Sequence, residues 1–237
     1  NHLTRFAYGN ATAEDFFASM AKGSGDPGIV PVFQSFVNQT GVPVVTIRPQ
    51  GKGWRLTQAR YRPIGVGAAK PQVWTLPFCV SEGGSTEPTC TLMRGPNATM
   101  TLKGGGLAVP NAGGAGYYRY SLTDTGWRPL IAAAAGLPDR EAIALSDSVW
   151  ADFAAGNIPF ARVLDGTRAL AAHPNRVATG QLPRYLDQLA RTTFSPGATA
   201  GYRRLIDELY APRLRDMGLD VRVDAYANEE GERAQTR

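Results

Sequence analysis

The chain has 237 residues, enough for one large domain or two modest ones, and its 43% hydrophobic fraction excludes a disordered chain. No apolar run approaches the ~20 residues of a membrane-crossing helix, and no signal peptide is visible at Asn1. The net charge of +5 comes mainly from arginines scattered along the sequence, without the clustered basic and aromatic residues of a nucleic-acid binder.

The spacing predicts a helix over 12–22, with Thr12 as N-cap and Glu14 and Asp15 in the first turn, where the helix dipole favours acids. Phe16, Phe17 and Met20 form its apolar face, and Gly23-Ser24-Gly25 breaks it. A second helix carries Ile29, Val32, Phe33, Phe36 and Val37 at helical spacing. Pro31 places its regular part after Asp26, and Gly41 with Pro43 ends it.

The pattern then turns to alternation. Val42–Arg48 is β-branched, Gly51–Gly53 is a turn, and Trp54–Arg62 alternates again. Segments 72–80, 89–94, 97–103 and 116–122 add strands between Gly/Pro clusters, which predicts an antiparallel sandwich. Past Thr125, Ala-rich stretches 128–136, 139–155, 158–172, 182–194 and 197–217 are helical in character, with Pro138 and Pro159 suited to helix starts. The fold class expected is therefore a small antiparallel β-sandwich followed by an all-helical array and preceded by two helices. The polar tail 228–237 reads as a helix cut short.

Few residues invite chemistry. Cys79 and Cys90 flank a turn-rich stretch between two strands, so they either form a disulfide across a hairpin or stay as two free, partly buried thiols. A bond would imply an oxidising compartment. His2 and His173 have no metal-ligand partner at useful spacing and read as solvated side chains. No Gly-x-Ser-x-Gly elbow is present. The runs at 104–106 and 113–116 lie between strand-like segments, so they are turns rather than phosphate cradles. Asn10, Asn38 and Asn97 head sequons; the first two read as capping and turn chemistry, and in a composition of bacterial character such sequons are usually unused. Trp54, Trp74, Trp127 and Trp150, with Tyr61, Tyr117, Tyr118 and Tyr120, either fill a core or make a carbohydrate-stacking surface.

One ordered set of motifs goes further. It comprises Asn10-Ala11-Thr12-Ala13-Glu14-Asp15-Phe16-Phe17, Gln39-Thr40-Gly41-Val42-Pro43-Val44-Val45 and Leu56-Thr57-Gln58-Ala59-Arg60-Tyr61. Then come Gly116-Tyr117-Tyr118-Arg119, and Asp139-Arg140 through Leu145-Ser146-Asp147 to Ala155-Gly156. The set resembles the non-catalytic C-terminal half of aminopeptidase N-like zinc metallopeptidases, the gluzincin aminopeptidases, and covers residues 6–156 best. The H-E-x-x-H zinc motif of that family is absent from the sequence. Phe36 stands where a tryptophan is common, and the cysteine hairpin is not a general family feature.

The resemblance implies that residues 1–41 are the last helices of a catalytic domain, 42–125 a β-sandwich domain and 126–237 the opening of a helical domain. It implies a parent hydrolase that removes N-terminal residues from peptides with zinc, while this chain carries no catalytic residue, no metal ligand and no cofactor. Its partners would be the N-terminal catalytic portion of the same polypeptide and the parent's peptide substrates, with no nucleic acid and no membrane span. Export to a periplasmic or extracellular space is expected if Cys79 and Cys90 are bonded, and a cytoplasmic place otherwise. The alternative is an independent sandwich-plus-helix module that binds a carbohydrate or protein ligand.

Overall fold

The computed structural model describes residues 1–237 except 69, 105, 219–221, 223, 230 and 232–237. The first helix turn is α1 (His2–Arg5), followed by α2 (Ala13–Ser24) and α3 (Ile29–Val37). Thr12 caps α2 through a complete capping box: its hydroxyl accepts from the Asp15 N–H, and the Asp15 carboxylate accepts from the Thr12 N–H. Gly23 and Ser24 stay helical, and the break falls at Gly25 in the left-handed conformation. Helix α3 begins at Ile29, so Pro31 sits in the first turn, where no backbone donor is needed.

Two sheets follow. The first has the order β5 (Asn97–Thr101), β2 (Gly53–Arg60), β1 (Pro43–Gln50), β7 (Arg119–Ser121), and the second β4 (Thr89–Met93), β3 (Leu76–Glu82), β6 (Ala108–Pro110). Val45, Ile47, Leu56 and Met100 face inward from the first sheet and meet Leu76, Phe78, Val80, Met93 and Val109 from the second. The antiparallel expectation describes four of the five strand pairings; β7 instead runs parallel to β1, after the chain crosses from one sheet to the other. The strand predicted over 116–122 is only three residues long, and β6 falls between the two Gly-rich runs read as turns, where the sequence predicts no strand.

The segment 72–75, predicted as part of a strand, is not one. Gln58 is the reason. Its buried amide donates to the Trp74 carbonyl and accepts from the Trp74 N–H, at 2.8 and 2.9 Å. A side chain thus replaces the neighbouring strand and lets Trp74 enter the core at a chain bend.

The second half is the helical array: α4 (Asp124–Ala132), α5 (Asp139–Ala154), α6 (Phe160–Ala171), α7 (Arg176–Thr192) and α8 (Pro196–Met217). Helix α4 starts earlier than its Ala-rich stretch because the Thr123 hydroxyl caps it, and Asn175 does the same for α7. Helix α7 runs through Pro183, which cannot donate to the Thr179 carbonyl. The Tyr210 hydroxyl on α8 donates to that carbonyl at 2.7 Å, so the proline becomes a docking point for the next helix. The tail expectation for 228–237 falls mostly outside the described residues.

Candidate functional site

The most closely connected polar region is the seam where α5 lies on the sandwich. It is built from the segment 111–121. Asn111 is left-handed (φ 61°), and its side-chain amide brackets Gly116, accepting from the Gly116 N–H at 2.7 Å and donating to its carbonyl at 3.0 Å. Gly116 lies against the Tyr118 ring so closely that a Cβ there would sit 2.1 Å from it. Tyr118 then fills the core beside Phe78, and the Cys79 N–H points at its hydroxyl at 3.4 Å. Burial raises the Tyr118 phenol well above its ordinary range.

Arg119 turns outward to α5. It makes a two-pronged ion pair with Asp147, Nε to Oδ2 at 2.8 Å and Nη2 to Oδ1 at 3.1 Å, and its guanidinium lies 4.4 Å over the Tyr61 ring. Burial works against the Arg119 charge, but the Asp147 bonds outweigh it and hold the guanidinium protonated. Tyr120 stacks on Trp127 at 5.4 Å, and its backbone N–H meets the Ser148 hydroxyl at 3.3 Å. Burial raises the Tyr120 phenol, whose oxygen has no hydrogen-bond partner among the described residues.

Helix α5 answers with one face. Glu141, Ser148 and Asp152 are spaced by seven and four residues, so they line up along the helix. Glu141 accepts from the Ser81 hydroxyl at 2.5 Å and the Gly113 N–H at 2.8 Å. Asp152 accepts from Trp127 Nε1 and from Asn157 Nδ2, both at 2.8 Å. Gly156 closes the helix at φ 78°, where Ile64 crosses so tightly that a Cβ would lie 2.8 Å from its Cδ1. The aromatic run, the Leu145-Ser146-Asp147 segment and Gly156 therefore belong to one contact.

Two clefts open beside this seam. One, of about 390 Å³, is lined by Arg60, Tyr61, Arg62, Ile64, Asp152 and Asn157. The other, of about 320 Å³, is lined by Tyr117, Arg119, Arg140, Asp147 and Gln181. A third groove, about 520 Å³ and mostly apolar, separates α3 from β3 and is lined by Phe33, Phe36, Leu76, Cys79 and Tyr117.

The structure joins Cys79 and Cys90 directly across β3 and β4 as a disulfide, with Cα atoms 4.1 Å apart. The expectation of two solvated histidines is corrected. His173 is 1% exposed; its Nε2 meets the Leu137 carbonyl at 2.9 Å and its Nδ1 accepts from the Asn175 N–H at 3.1 Å. It staples the α6–α7 junction, and Arg213 caps the carbonyls of His173 and Pro174 from α8. His2 is part-buried at the other end of the chain, bonded to the Ser19 hydroxyl and packed on Phe6 and Phe16. Among the described residues, no three His, Cys, Asp or Glu side chains gather as a metal site. Of the eight aromatics considered for a stacking surface, Trp74, Trp127, Tyr118 and Tyr120 are buried, and Tyr117, 67% exposed, stands apart.

The family profile described as "ERAP1-like C-terminal domain" matches residues 107–237, which begins just before the seam segment and takes in the whole helical array. The chain belongs to that family. Among curated relatives, the puromycin-sensitive aminopeptidase of Caenorhabditis elegans is 24% identical over 200 residues, 79% of this chain and 21% of the worm protein. Glutamyl aminopeptidase of Rattus norvegicus is 28% identical over 135 residues, 53% of this chain and 14% of the rat protein. Probable aminopeptidase 2 of Sulfurisphaera tokodaii is 32% identical over 83 residues, 35% of this chain and 10% of that protein. The family match and these relatives make the chain a C-terminal part of an M1 aminopeptidase, and it spans about a fifth or less of the length of each.

Proposed function

We propose that this ERAP1-like chain is a non-catalytic part of a zinc-dependent aminopeptidase that removes N-terminal residues from peptides. In this reading residues 1–41 close the catalytic domain, 42–125 form the sandwich domain and 126–237 open the helical domain. The zinc and its ligands belong to a catalytic portion that precedes Asn1 in the full protein. The observation that carries the reading is the seam. Arg119 from the sandwich grips Asp147 of α5 while Glu141 and Asp152 seal the two ends of the contact, so sandwich and helices are held in one fixed relation. A rigid spacer of this kind suits the wall of a substrate chamber, where position matters more than reactive groups. Export of the parent goes with the Cys79–Cys90 bond.

The test joins genetics and biochemistry. The coding sequence upstream of Asn1 should contain H-E-x-x-H followed by a glutamate ligand. The chain by itself should copurify with no stoichiometric zinc and release nothing from alanine or leucine fluorogenic amides. An upstream sequence without the motif would leave the independent binding module as the better reading. Tightly held zinc with turnover in the chain alone would overturn the assignment of the chemistry to another portion.

A further inference from the structure

Arginines that look scattered along the sequence are concentrated by the fold. Between Pro43 and Lys103 the chain has eight Lys or Arg and two Asp or Glu, a net +6 against +5 for the whole chain, so the remainder is close to neutral. Both acids are occupied or remote from the first sheet. Glu82 is buried, accepting from the Thr89 hydroxyl and the Gly104 N–H, and Glu87 sits at the β3–β4 turn of the second sheet.

The outward face of the first sheet is where this charge shows. Strand register sets Arg48 of β1 directly opposite Arg55 of β2, with Thr99 of β5 completing the row. Partners in such a row have Cα atoms about 5 Å apart, and like charges placed there are destabilising. Both arginines are exposed. Among the described residues neither meets a carboxylate; Arg48 donates only to the Ile47 carbonyl, and Arg55 has no partner. The next row is Thr46, Thr57 and Asn97, and Lys52 stands in the adjoining turn. Beyond Thr46 the face runs into the cleft that holds Arg60 and Arg62. A sheet that keeps two opposed arginines without a counter-charge forgoes stability unless an anion arrives from outside.

We infer that this face docks an acidic polypeptide segment, whose carboxylates bridge Arg48 and Arg55 and whose backbone lies across the threonine and asparagine rows. Guanidinium forks match planar carboxylates in two-pronged pairs, and hydroxyl and amide groups supply the remaining donors. Other anionic partners fit less well. Trp54 points into the sandwich toward Phe78, so the rows that hold Arg48 and Arg55 offer no ring on which a base or sugar could stack. Away from the end facing α5, the face carries no large aliphatic side chain to enter a lipid layer.

The probe is a fluorescent oligoglutamate of about twelve residues, titrated against the full chain in about 50 mM salt and read by anisotropy. Binding should weaken about tenfold or more in the Arg48→Ala/Arg55→Ala pair and on raising the salt to about 0.5 M. A control removes the same charge from α8, Arg203→Ala/Arg204→Ala, and should change binding less than about twofold. The Arg48→Ala/Arg55→Ala pair should also melt at the same temperature as the parent chain or higher, because it relieves the opposed charges. Charge reversal, Arg48→Glu/Arg55→Glu, should transfer binding from oligoglutamate to oligolysine. The inference fails if oligoglutamate does not bind, if both alanine pairs weaken it equally, or if anionic vesicles or a duplex oligonucleotide bind the face more tightly than the peptide.

Discussion

Helices α2 and α3 at one end of the chain and helix α5 at its centre start from similar sequence signals, yet the fold treats them differently. All three are amphipathic, and α2 has the better cap, a full capping box, whereas α5 begins behind Pro138 without a side-chain cap. Helix α5 nevertheless buries eight residues, including Leu145 and Val149, while α2 buries Phe17 alone and α3 none. Phe17 and Phe33 stack on each other, but Phe16, Met20 and Val37 remain exposed. Capping is worth about 1 kcal/mol; a buried aliphatic side chain contributes more and is repeated along the helix. The difference teaches that position in the array, not helix-forming signal, decides which helix holds the fold together.

The sharpest way to break that comparison is to cut one aromatic from the terminal helices and one on α4 that is bonded to α5. Trp127→Ala removes a fully buried ring and strips Asp152 of its indole donor, so it should cost about 3–5 kcal/mol in chemical denaturation. Phe16→Ala, at a side chain 41% exposed, should cost less than about 1 kcal/mol. Equal losses would mean that the terminal helices are as integral as the seam. Native-state hydrogen exchange makes the same point without mutation: α2 and α3 should open before α5 and before strands β1 and β2, or else be protected by self-association visible in light scattering.

Reduction of the Cys79–Cys90 bond should come next in size. It closes a loop of sequence separation 11, worth about 3 kcal/mol in the chain-entropy model. The loss should appear in melts with and without reductant, and thiol titration of the unfolded, unreduced chain should find no free thiol. Two free thiols there would remove the support for export.

The seam itself can be sharpened by a double-mutant cycle on Arg119 and Asp147. Both are part-exposed, so the coupling should be at the modest end, about 0.5–2 kcal/mol. Tyr120→Phe should be neutral or slightly stabilising, because it deletes a buried hydroxyl that has no partner among the described residues. A clear loss on that change would show that the hydroxyl is bonded in solution.

The smallest effect is one of pH. The Thr89 hydroxyl, helped by the Gly104 N–H, holds the Glu82 carboxyl below its ordinary range against the opposing effect of burial. Its folded pKa is depressed, so the stabilisation is complete above an unfolded value of about 4.3 and fades as pH falls through the lower folded value. Glu82→Gln should flatten that part of the acid limb of the stability profile.

Much of the candidate site was legible in sequence as motif and little of it as contact. Thr12, the α5 span and the strands of the first hairpin could be read because their signals are local: a cap, a period and a turn. Gln58 could not be read as the partner of Trp74, nor His173 as a buried staple, since both act across at least one bend of the chain on backbone groups that have no sequence signature. The same holds for α7, whose helical stretch reads from 182 in the sequence, while the helix runs from Arg176 through Pro183 with Tyr210, from the next helix, meeting the carbonyl that the proline leaves free.

The sequence alone determined the change from alternating to helical periodicity, the cap of α2, and the family of the chain, because each depends on residues close together or on an ordered set of short motifs. Only the tertiary structure decided that β7 lies parallel to β1, that Arg119 reaches Asp147 at a separation of 28 residues, and that Arg48 and Arg55 confront each other with no acid between them. Strand register and helix docking are set by which faces can be buried together. That is a property of the whole core, and no short stretch of the chain carries it.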